Sequence, residues 1–208
     1  MSIKVKICGI TSAVDGLMAV EAGADLLGFV FHEPSPRYVS VPTAADIIAQ
    51  LPPAVVKVGV FVNSPAALVS EAIARCGLNI LQFHGDEPPD YCWQFGLMTM
   101  KAFRVSSPDS LARLADYPTD AWLLDSATAD QPGGTGQVFN WDLAIAAQRF
   151  GRLIFLAGGL TPENVAEAVR RVRPFGVDVS TGVEAAPGKK DPAKVRAFVQ
   201  AARAAEQA

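Results

Sequence analysis

The chain is poor in cysteine and histidine, with three cysteines and two histidines among 208 residues. Cys8, Cys76 and Cys92 are widely spaced and form no Cys-x-x-Cys pair. An odd number of cysteines at such spacings predicts neither a disulfide framework nor a zinc site. His32 and His84 are too far apart in the sequence to form a spaced metal motif. We therefore expect no metal, and a structural role is the default for either histidine taken alone.

The chain also lacks an excess of one charge and any long hydrophobic run. Its formal net charge is -3, with both signs scattered along the sequence, which argues against a nucleic-acid partner. No apolar run approaches the roughly 20 residues needed to cross a bilayer. The opening MSIKVKICGI shows none of the features of a secretory signal. We expect a cytoplasmic protein without a membrane partner, acting on a small molecule.

Regular alternation of strand and helix patterns is the strongest positive signal. Short β-branched or aromatic segments recur eight times, each followed by a segment of helical periodicity. The 208 residues give 208/8 = 26 per unit, the size of one strand, one helix and two short loops. This pattern predicts an α/β protein with a single-domain (β/α)8 TIM barrel over residues 1–208. The predicted strands are Val5–Ile10, Leu26–Phe31, Lys57–Val62, Ile80–His84, Met100–Val105, Ala121–Ser126, Leu153–Gly158 and Gly176–Ser180. The predicted helices include Ser12–Gly23, Ala44–Gln50, Pro65–Cys76, Leu111–Asp116, Pro162–Val172 and Pro192–Glu206.

Function in such barrels resides in the loops at the carboxyl ends of the strands, so polar residues there are candidates. On the first strand Lys6 and Cys8 alternate with the apolar Val5 and Ile7, which should face the helices. Cys8 should therefore point into the barrel mouth. Its alternative role is that of an inert buried thiol.

Asp125 is the second candidate, at the end of the sixth strand. By the same alternation Leu124 should face the helices and Asp125 the barrel. A thiol and a carboxylate would then face one another across the mouth. Capping of the next loop is the alternative role for Asp125.

Two late turns suggest phosphate binding. The segments LAGGLTPEN (156–164) and DVSTGVE (178–184) place glycines and hydroxyls directly after strands seven and eight. Barrels often hold a phosphate there, on backbone N–H groups and a helix N-terminus, although either turn alone could be a plain connection.

Two further segments have weaker functional signals. In PSPRYVS, Arg37 follows a proline-stiffened turn and could grip a carboxylate, although alone it is better interpreted as a surface arginine. The segment QPGGTGQVF (131–139) lacks the third glycine of a dinucleotide fingerprint and is better interpreted as a mobile loop over the site.

Taken in order, the motifs carry a family resemblance along essentially the whole chain. KICGIT, GADLLGFVFHEPSPRYV, VGVFVN, LQFHGDE, LLDS, GGTG, LAGGLTPENV and DVSTGVE occur as in phosphoribosylanthranilate isomerases of tryptophan biosynthesis. The resemblance implies a barrel enzyme that catalyses an Amadori rearrangement, the third step from chorismate towards tryptophan. It implies no cofactor and no metal.

The resemblance also implies residue roles. Asp125 matches the family's general acid, Cys8 its general base, and Arg37 the position that meets the anthranilate carboxylate. The remaining positions implied to bind the substrate are Asp178, Gln82, His84, Gly134 and Gly136, with Gly158, Gly159, Ser180, Thr181 and Gly182 for its phosphate. Phe83, Asn140 and Thr181 depart from the residues common in the family, and Asn140 puts any role for that position in doubt.

The chemistry sets two electrostatic requirements. Asp125 must be protonated for part of the time to open the sugar ring, so its carboxyl pKa must lie above the usual value of about 3.9. Cys8 must ionise, although its usual pKa is about 8.5, and a nearby cation would help. Lys6, on the same strand face, is the candidate for that cation.

Two alternatives compete with this assignment. The histidine-pathway aminoaldose isomerase performs the same rearrangement, but it resembles a two-aspartate design with one aspartate where Cys8 stands. A catalytically silent phosphate-binding barrel is the other, although it would have no need to keep Cys8, Asp125 and Arg37 together. Association with other tryptophan-pathway enzymes is possible but not required.

Overall fold

The computed structural model describes residues 2–126 and 141–206. Eight strands form a closed barrel in which each pairs with the next and β8 pairs with β1, all in parallel. The predicted (β/α)8 barrel is therefore confirmed. The strands are β1 Lys4–Cys8, β2 Leu26–Val30, β3 Val56–Phe61, β4 Ile80–Phe83, β5 Met98–Val105, β6 Ala121–Ser126, β7 Leu153–Leu156 and β8 Gly176–Val179.

Helices lie between the strands. They are α1 Ala13–Glu21, α2 Val41–Ile48, α3 Ala66–Cys76, α4 Pro89–Trp93, α5 Trp141–Ala147, α6 Val165–Val172 and α7 Pro192–Glu206. Short 3₁₀ helices span Pro108–Asp116, Gln148–Phe150 and Thr181–Val183, and a hairpin of β9 Glu184–Ala186 and β10 Lys189–Lys190 precedes α7. α4 and α5 agree with the predicted alternation of strand and helix, and the predicted helix Leu111–Asp116 lies within the 3₁₀ helix Pro108–Asp116. None of the helices in the described ranges is both long and apolar enough to cross a membrane.

Several predicted strands extend one or two residues too far at their carboxyl ends. β1 ends at Cys8 instead of Ile10, and β7 ends at Leu156 instead of Gly158. Gly9 and Gly158 have positive φ angles of 78° and 79°, in a region that favours glycine and interrupts the extended backbone. Cys8 is consequently the last residue of its strand, at the rim of the barrel.

The two faces of each strand differ in what they bury. Val5, Ile7 and Leu124 belong to the large cluster between barrel and helices. A separate inner cluster fills the barrel axis, made of Leu26, Val58, Met100, Ala102, Ala121, Leu123, Phe155 and Ala157. Since Leu123 faces inward and Leu124 outward, Asp125 faces inward, as the alternation predicted. The predicted orientations of the β1 and β6 side chains are therefore confirmed.

The amino ends of the strands surround a mainly apolar cavity of about 560 Å³. Its lining includes Leu26, Met100, Phe155 and Phe175. It lies at the opposite end of the barrel from Cys8 and Asp125, which are at the carboxyl ends of their strands.

Candidate active site

A buried ion pair lies beside Cys8. The β1–β8 register places Lys6 opposite Asp178, and the Lys6 Nζ donates a hydrogen bond to Asp178 Oδ1 at 2.8 Å. The two side chains are 0% and 10% exposed. On the β2 side of β1, a Cβ on Gly28 would lie 2.7 Å from the Cys8 Sγ and 3.1 Å from the Lys6 Nζ. Because glycine has no side chain, both the thiol and the ammonium group can lie against β2 at this position.

The burial of Cys8 governs its ionisation. Desolvation raises the pKa of the Cys8 thiol, the positive charge of Lys6 lowers it, and the negative charge of Asp178 raises it again. The net direction is upward, so the predicted effect of Lys6 is present but is smaller than that of burial. Burial lowers the pKa of Lys6, yet the charges of Asp178 and Cys8 outweigh this and raise it to about 12. At neutral pH the site therefore pairs a neutral thiol with a charged ammonium group.

Asp125 lies beside His84 in a more open part of the mouth. The His84 Nε2 is 3.4 Å from Asp125 Oδ2, and the two side chains are 25% and 29% exposed. The Gln82 Nε2 lies 2.9 Å from the His84 Nδ1. Gln82 lies on β4, and His84 is the first residue after that strand ends. Gln82, His84 and Asp125 thus form a chain of polar groups, in which the buried Gln82 Oε1 has no hydrogen-bond partner among the described residues.

The loop that carries His84 is fixed from behind by a second buried ion pair. The Lys101 Nζ donates to Gly85 O at 2.6 Å and to Glu87 Oε2 at 3.2 Å, with both charged side chains 3% exposed. Glu87 in turn accepts hydrogen bonds from the backbone N–H groups of Gly85 and Asn63 at 2.9 and 2.8 Å. Sequence reasoning assigned nothing to Lys101 or Glu87.

Arg37 is held by an acid that the sequence analysis did not single out. Its Nε donates to Glu184 Oε1 at 2.8 Å, its Nη2 donates to Glu184 Oε2 at 2.6 Å, and Nη2 also approaches Thr181 Oγ1 at 3.3 Å. Arg37 is therefore not a free surface arginine. The signal that could have revealed the partner is the acid at the end of DVSTGVE, just after a buried strand.

The two glycine-bearing turns meet, as expected for a shared anion site. A Cβ on Gly182 would lie 2.0 Å from the backbone oxygen of Leu160, so the turn after β8 packs directly on the turn after β7. Gly158 and Gly159 both have positive φ angles, 79° and 68°. The Ser180 Oγ is buried and has no hydrogen-bond partner among the described residues. Phosphate binding at these turns stays a prediction.

Some predicted positions lie outside the described residues: Gly134, Gly136 and the rest of the 131–139 segment. Within residues 2–126 and 141–206, no group of three or more His, Cys, Asp or Glu side chains could hold a metal ion.

Cys8, Asp125, Arg37 and the two late turns all lie at the carboxyl ends of parallel barrel strands. A recessed thiol and a carboxylate at this end of the barrel, beside two glycine-bearing turns, are typical of a (β/α)8-barrel enzyme that transfers protons on a small substrate.

The chain belongs to the N-(5'-phosphoribosyl)anthranilate isomerase family, whose family model matches residues 5–201. A curated relative of that name from Geobacter metallireducens is 57% identical over 202 residues, covering 97% of this chain and 100% of the relative. One from Geobacter sulfurreducens is 56% identical, covering 97% and 98%.

Solved structures agree with this assignment. The phosphoribosyl anthranilate isomerase of Thermotoga maritima superposes with a TM-score of 0.92 at 43% identity, covering 97% of this chain and 99% of that chain. A second isomerase structure, at 41% identity and a TM-score of 0.88 with the same coverage, contains reduced 1-(o-carboxyphenylamino)-1-deoxyribulose 5-phosphate.

Proposed function

We propose that the chain isomerises N-(5'-phosphoribosyl)anthranilate to 1-(2-carboxyphenylamino)-1-deoxyribulose 5-phosphate, a step of tryptophan biosynthesis. Family membership over nearly the whole chain supports this activity. The structural observation that carries the proposal is the inward orientation of Cys8 and Asp125 at one barrel mouth, with Lys6 and Asp178 beside the thiol.

Asp125 starts the reaction by opening the ribose ring. It gives its proton to the ring oxygen as the C1'–O bond breaks, and the lone pair of the anthranilate nitrogen forms the C1'=N bond of a protonated Schiff base. His84, 3.4 Å from the carboxylate, is close enough to share a proton with it before and after the transfer. The partial exposure of Asp125 lets the carboxylate exchange protons with water between turnovers.

Cys8 then removes the proton from C2'. Its thiolate takes this proton while the C2'–H electrons form C1'=C2' and the Schiff base becomes an enolamine. The enolamine becomes the aminoketone when C1' takes up a proton and the C2' hydroxyl loses its proton as C2'=O forms. The two protons gained, at the ring oxygen and at C1', equal the two lost, from C2' and its hydroxyl, so no atoms are gained or lost. Cys8 acts as the base only after it ionises, and Lys6 is the cation that favours this.

Asp178 links substrate binding to the ionisation of Cys8. Its carboxylate holds the Lys6 ammonium group in the absence of substrate. When the substrate's anilino N–H donates to Asp178, part of the negative charge that holds Lys6 is neutralised. The ammonium group then stabilises the Cys8 thiolate more strongly, which lowers the pKa of the thiol at the moment a base is needed.

The other residues bind the two anionic ends of the substrate. Arg37 meets the anthranilate carboxylate, and the turn residues Gly158, Gly159, Ser180, Thr181 and Gly182 hold the phosphate. Gln82 orients His84, and Gly134 and Gly136 are predicted to bind the substrate. Three further predictions stand: a single domain over residues 1–208, a cytoplasmic location, and an optional association with other enzymes of the pathway.

A fluorescence assay tests the proposal. The anthranilate-derived substrate should lose its fluorescence on mixing with the protein, at a rate proportional to enzyme concentration. The phosphorylated aminoaldose of histidine biosynthesis should not be converted at a comparable rate. Binding of the first substrate without conversion would favour a silent barrel, and faster conversion of the second would favour the histidine-pathway reaction.

A further inference from the structure

The β9–β10 hairpin lies between β8 and α7 and is not part of the eight-strand barrel. It packs on the loop that carries Arg37, since a Cβ on Gly188 would lie 2.9 Å from the backbone oxygen of Pro36. Thr11 Oγ1, from the loop after β1, donates a hydrogen bond to Gly188 O. The hairpin is therefore attached to the first two barrel loops, and it brings Glu184 and Lys190 to the mouth.

Glu184 is the centre of this arrangement. Its carboxylate accepts four hydrogen bonds, from Arg37 Nε at 2.8 Å, Arg37 Nη2 at 2.6 Å, Lys190 Nζ at 2.9 Å and Gly188 N at 3.3 Å. The side chains of Glu184 and Lys190 are 4% and 0% exposed. Burial raises the pKa of Glu184, but the hydrogen bonds and charges of Arg37 and Lys190 outweigh it, so the net pKa is lowered.

The geometry leaves one edge of the Arg37 guanidinium unused by Glu184. A guanidinium can bind a carboxylate side-on through Nε and one Nη, or end-on through both Nη atoms. Glu184 occupies the side edge, and the Arg37 side chain is 20% exposed whereas that of Glu184 is 4% exposed. A guanidinium held at two N–H groups has little freedom to rotate. Its end edge therefore has a fixed direction, in which Nη2 also donates to Thr181 Oγ1 at 3.3 Å.

The charges point the same way. Two cations, Arg37 and Lys190, share one carboxylate, so the trio carries one net positive charge. Without Glu184 the two cations would lie close together in a largely desolvated place. With it, the trio complements a single negative charge on a ligand.

We propose that Glu184 is a positioning residue for Arg37. It holds the side edge of the guanidinium so that the end edge donates hydrogen bonds to the substrate's carboxylate in one orientation. This proposal rests on the proposed function, in which Arg37 meets that carboxylate, and deepens it by assigning the selectivity for a carboxylated aromatic ring to the Arg37–Glu184 pair.

The test compares two ligands that differ in one group. The reduced product, 1-(o-carboxyphenylamino)-1-deoxyribitol 5-phosphate, carries the carboxylate, and its anilino counterpart does not. Glu184→Gln should weaken binding of the first by roughly tenfold or more, because the charge-assisted bonds that orient Arg37 are lost. Binding of the second should stay within about twofold of the wild-type value. In the Arg37→Ala background, Glu184→Gln should add little further loss for either ligand.

Control variants separate positioning from general stability. Glu71→Gln removes the same charge from an exposed helix pair with Arg75 and should change neither affinity. If Glu184→Gln does not fold, Glu184→Asp is measured instead, because it keeps the charge but shortens the reach to Arg37. Equal losses for both ligands, or additive losses in the double variant, would overturn the proposal. A wild-type protein that binds both ligands equally, unaffected by Arg37→Ala, would contradict the role of Arg37 in the proposed function itself.

Discussion

The two residues proposed to transfer protons, Cys8 and Asp125, lie in different environments at the barrel mouth. On the base side, Cys8 is 8% exposed and lies beside an ion pair whose side chains are 0% and 10% exposed. On the acid side, Asp125 and His84 are 29% and 25% exposed. A buried thiol ionises only with difficulty, so it needs a neighbouring cation to stabilise the thiolate. A partly exposed carboxylate can exchange its proton with water. In the proposed mechanism, this contrast explains why Cys8 needs the charge of Lys6, whereas Asp125 needs only the nearby His84.

The largest expected effects come from removing either proton-transfer group. Cys8→Ala and Asp125→Asn should each lower kcat by about 10²–10⁴-fold, the usual contribution of a positioned acid or base. Melting temperatures should change little, because both side chains lie at the rim. Cys76→Ala is the matched control, since that buried thiol packs between α3 and the rest of the outer core. The effect is measured by steady-state kinetics. If Cys8→Ala retained a kcat close to that of the wild type, Cys8 would not be the base.

Removing the cation on the base side should affect stability as well as activity. Lys6→Met leaves Asp178 buried without its partner, and we expect a loss of about 3 kcal/mol in the free energy of unfolding. It also takes away the positive charge that favours the thiolate. Lys4→Met is the control on the same strand, because its pair with Asp25 is far more exposed and should contribute about 0–1 kcal/mol. Equal denaturation midpoints for the two variants would contradict the importance of burial at Lys6.

The pH dependence of thiol reactivity tests the ionisation of Cys8 alone. Because the pKa of Cys8 is raised in the free protein, thiolate should form only as the pH rises above the ordinary thiol value of about 8.5. The rate of alkylation by iodoacetamide should therefore still be increasing beyond that pH. Cys8→Ser reports any background from Cys76 and Cys92, which are buried. A rate that reaches its plateau below neutral pH would show a lowered pKa and contradict the dominance of burial.

A smaller effect is expected from His84 on the acid side. His84→Asn should lower kcat by roughly tenfold, at the lower end of what a group in proton transfer contributes. The chain has two histidines, so ¹⁵N-labelled protein gives two sets of ring signals. The signals of His84 should shift in Asp125→Asn, while those of His32 should not. Unchanged His84 signals would separate the imidazole from the acid.

Sequence reasoning reached the barrel and the orientation of Cys8 and Asp125, because strand alternation is a local property. It proposed Lys6 as the cation beside Cys8, but it missed the ion pairs Lys6–Asp178 and Arg37–Glu184. Lys6 and Asp178 lie 172 positions apart, and Arg37 and Glu184 lie 147 apart, so only closure of the barrel brings them into contact. Sequence reasoning also predicted that Lys6 favours ionisation of Cys8, but it could not include the burial of the thiol. Burial raises the pKa of Cys8 more than the charge of Lys6 lowers it. The roles of Gly134 and Gly136 stay predictions.

The central claim is that Asp125 and Cys8 serve two successive proton transfers. It can be tested directly with substrate deuterated at C2', by comparing the isotope effect on kcat in Cys8→Ser and Asp125→Asn. Slowing the base should make C2'–H cleavage limit turnover, so Cys8→Ser should show a large isotope effect. Slowing the acid should make ring opening limiting, so the isotope effect of Asp125→Asn should fall towards one. The reverse pattern, or equal effects in both variants, would contradict the assignment.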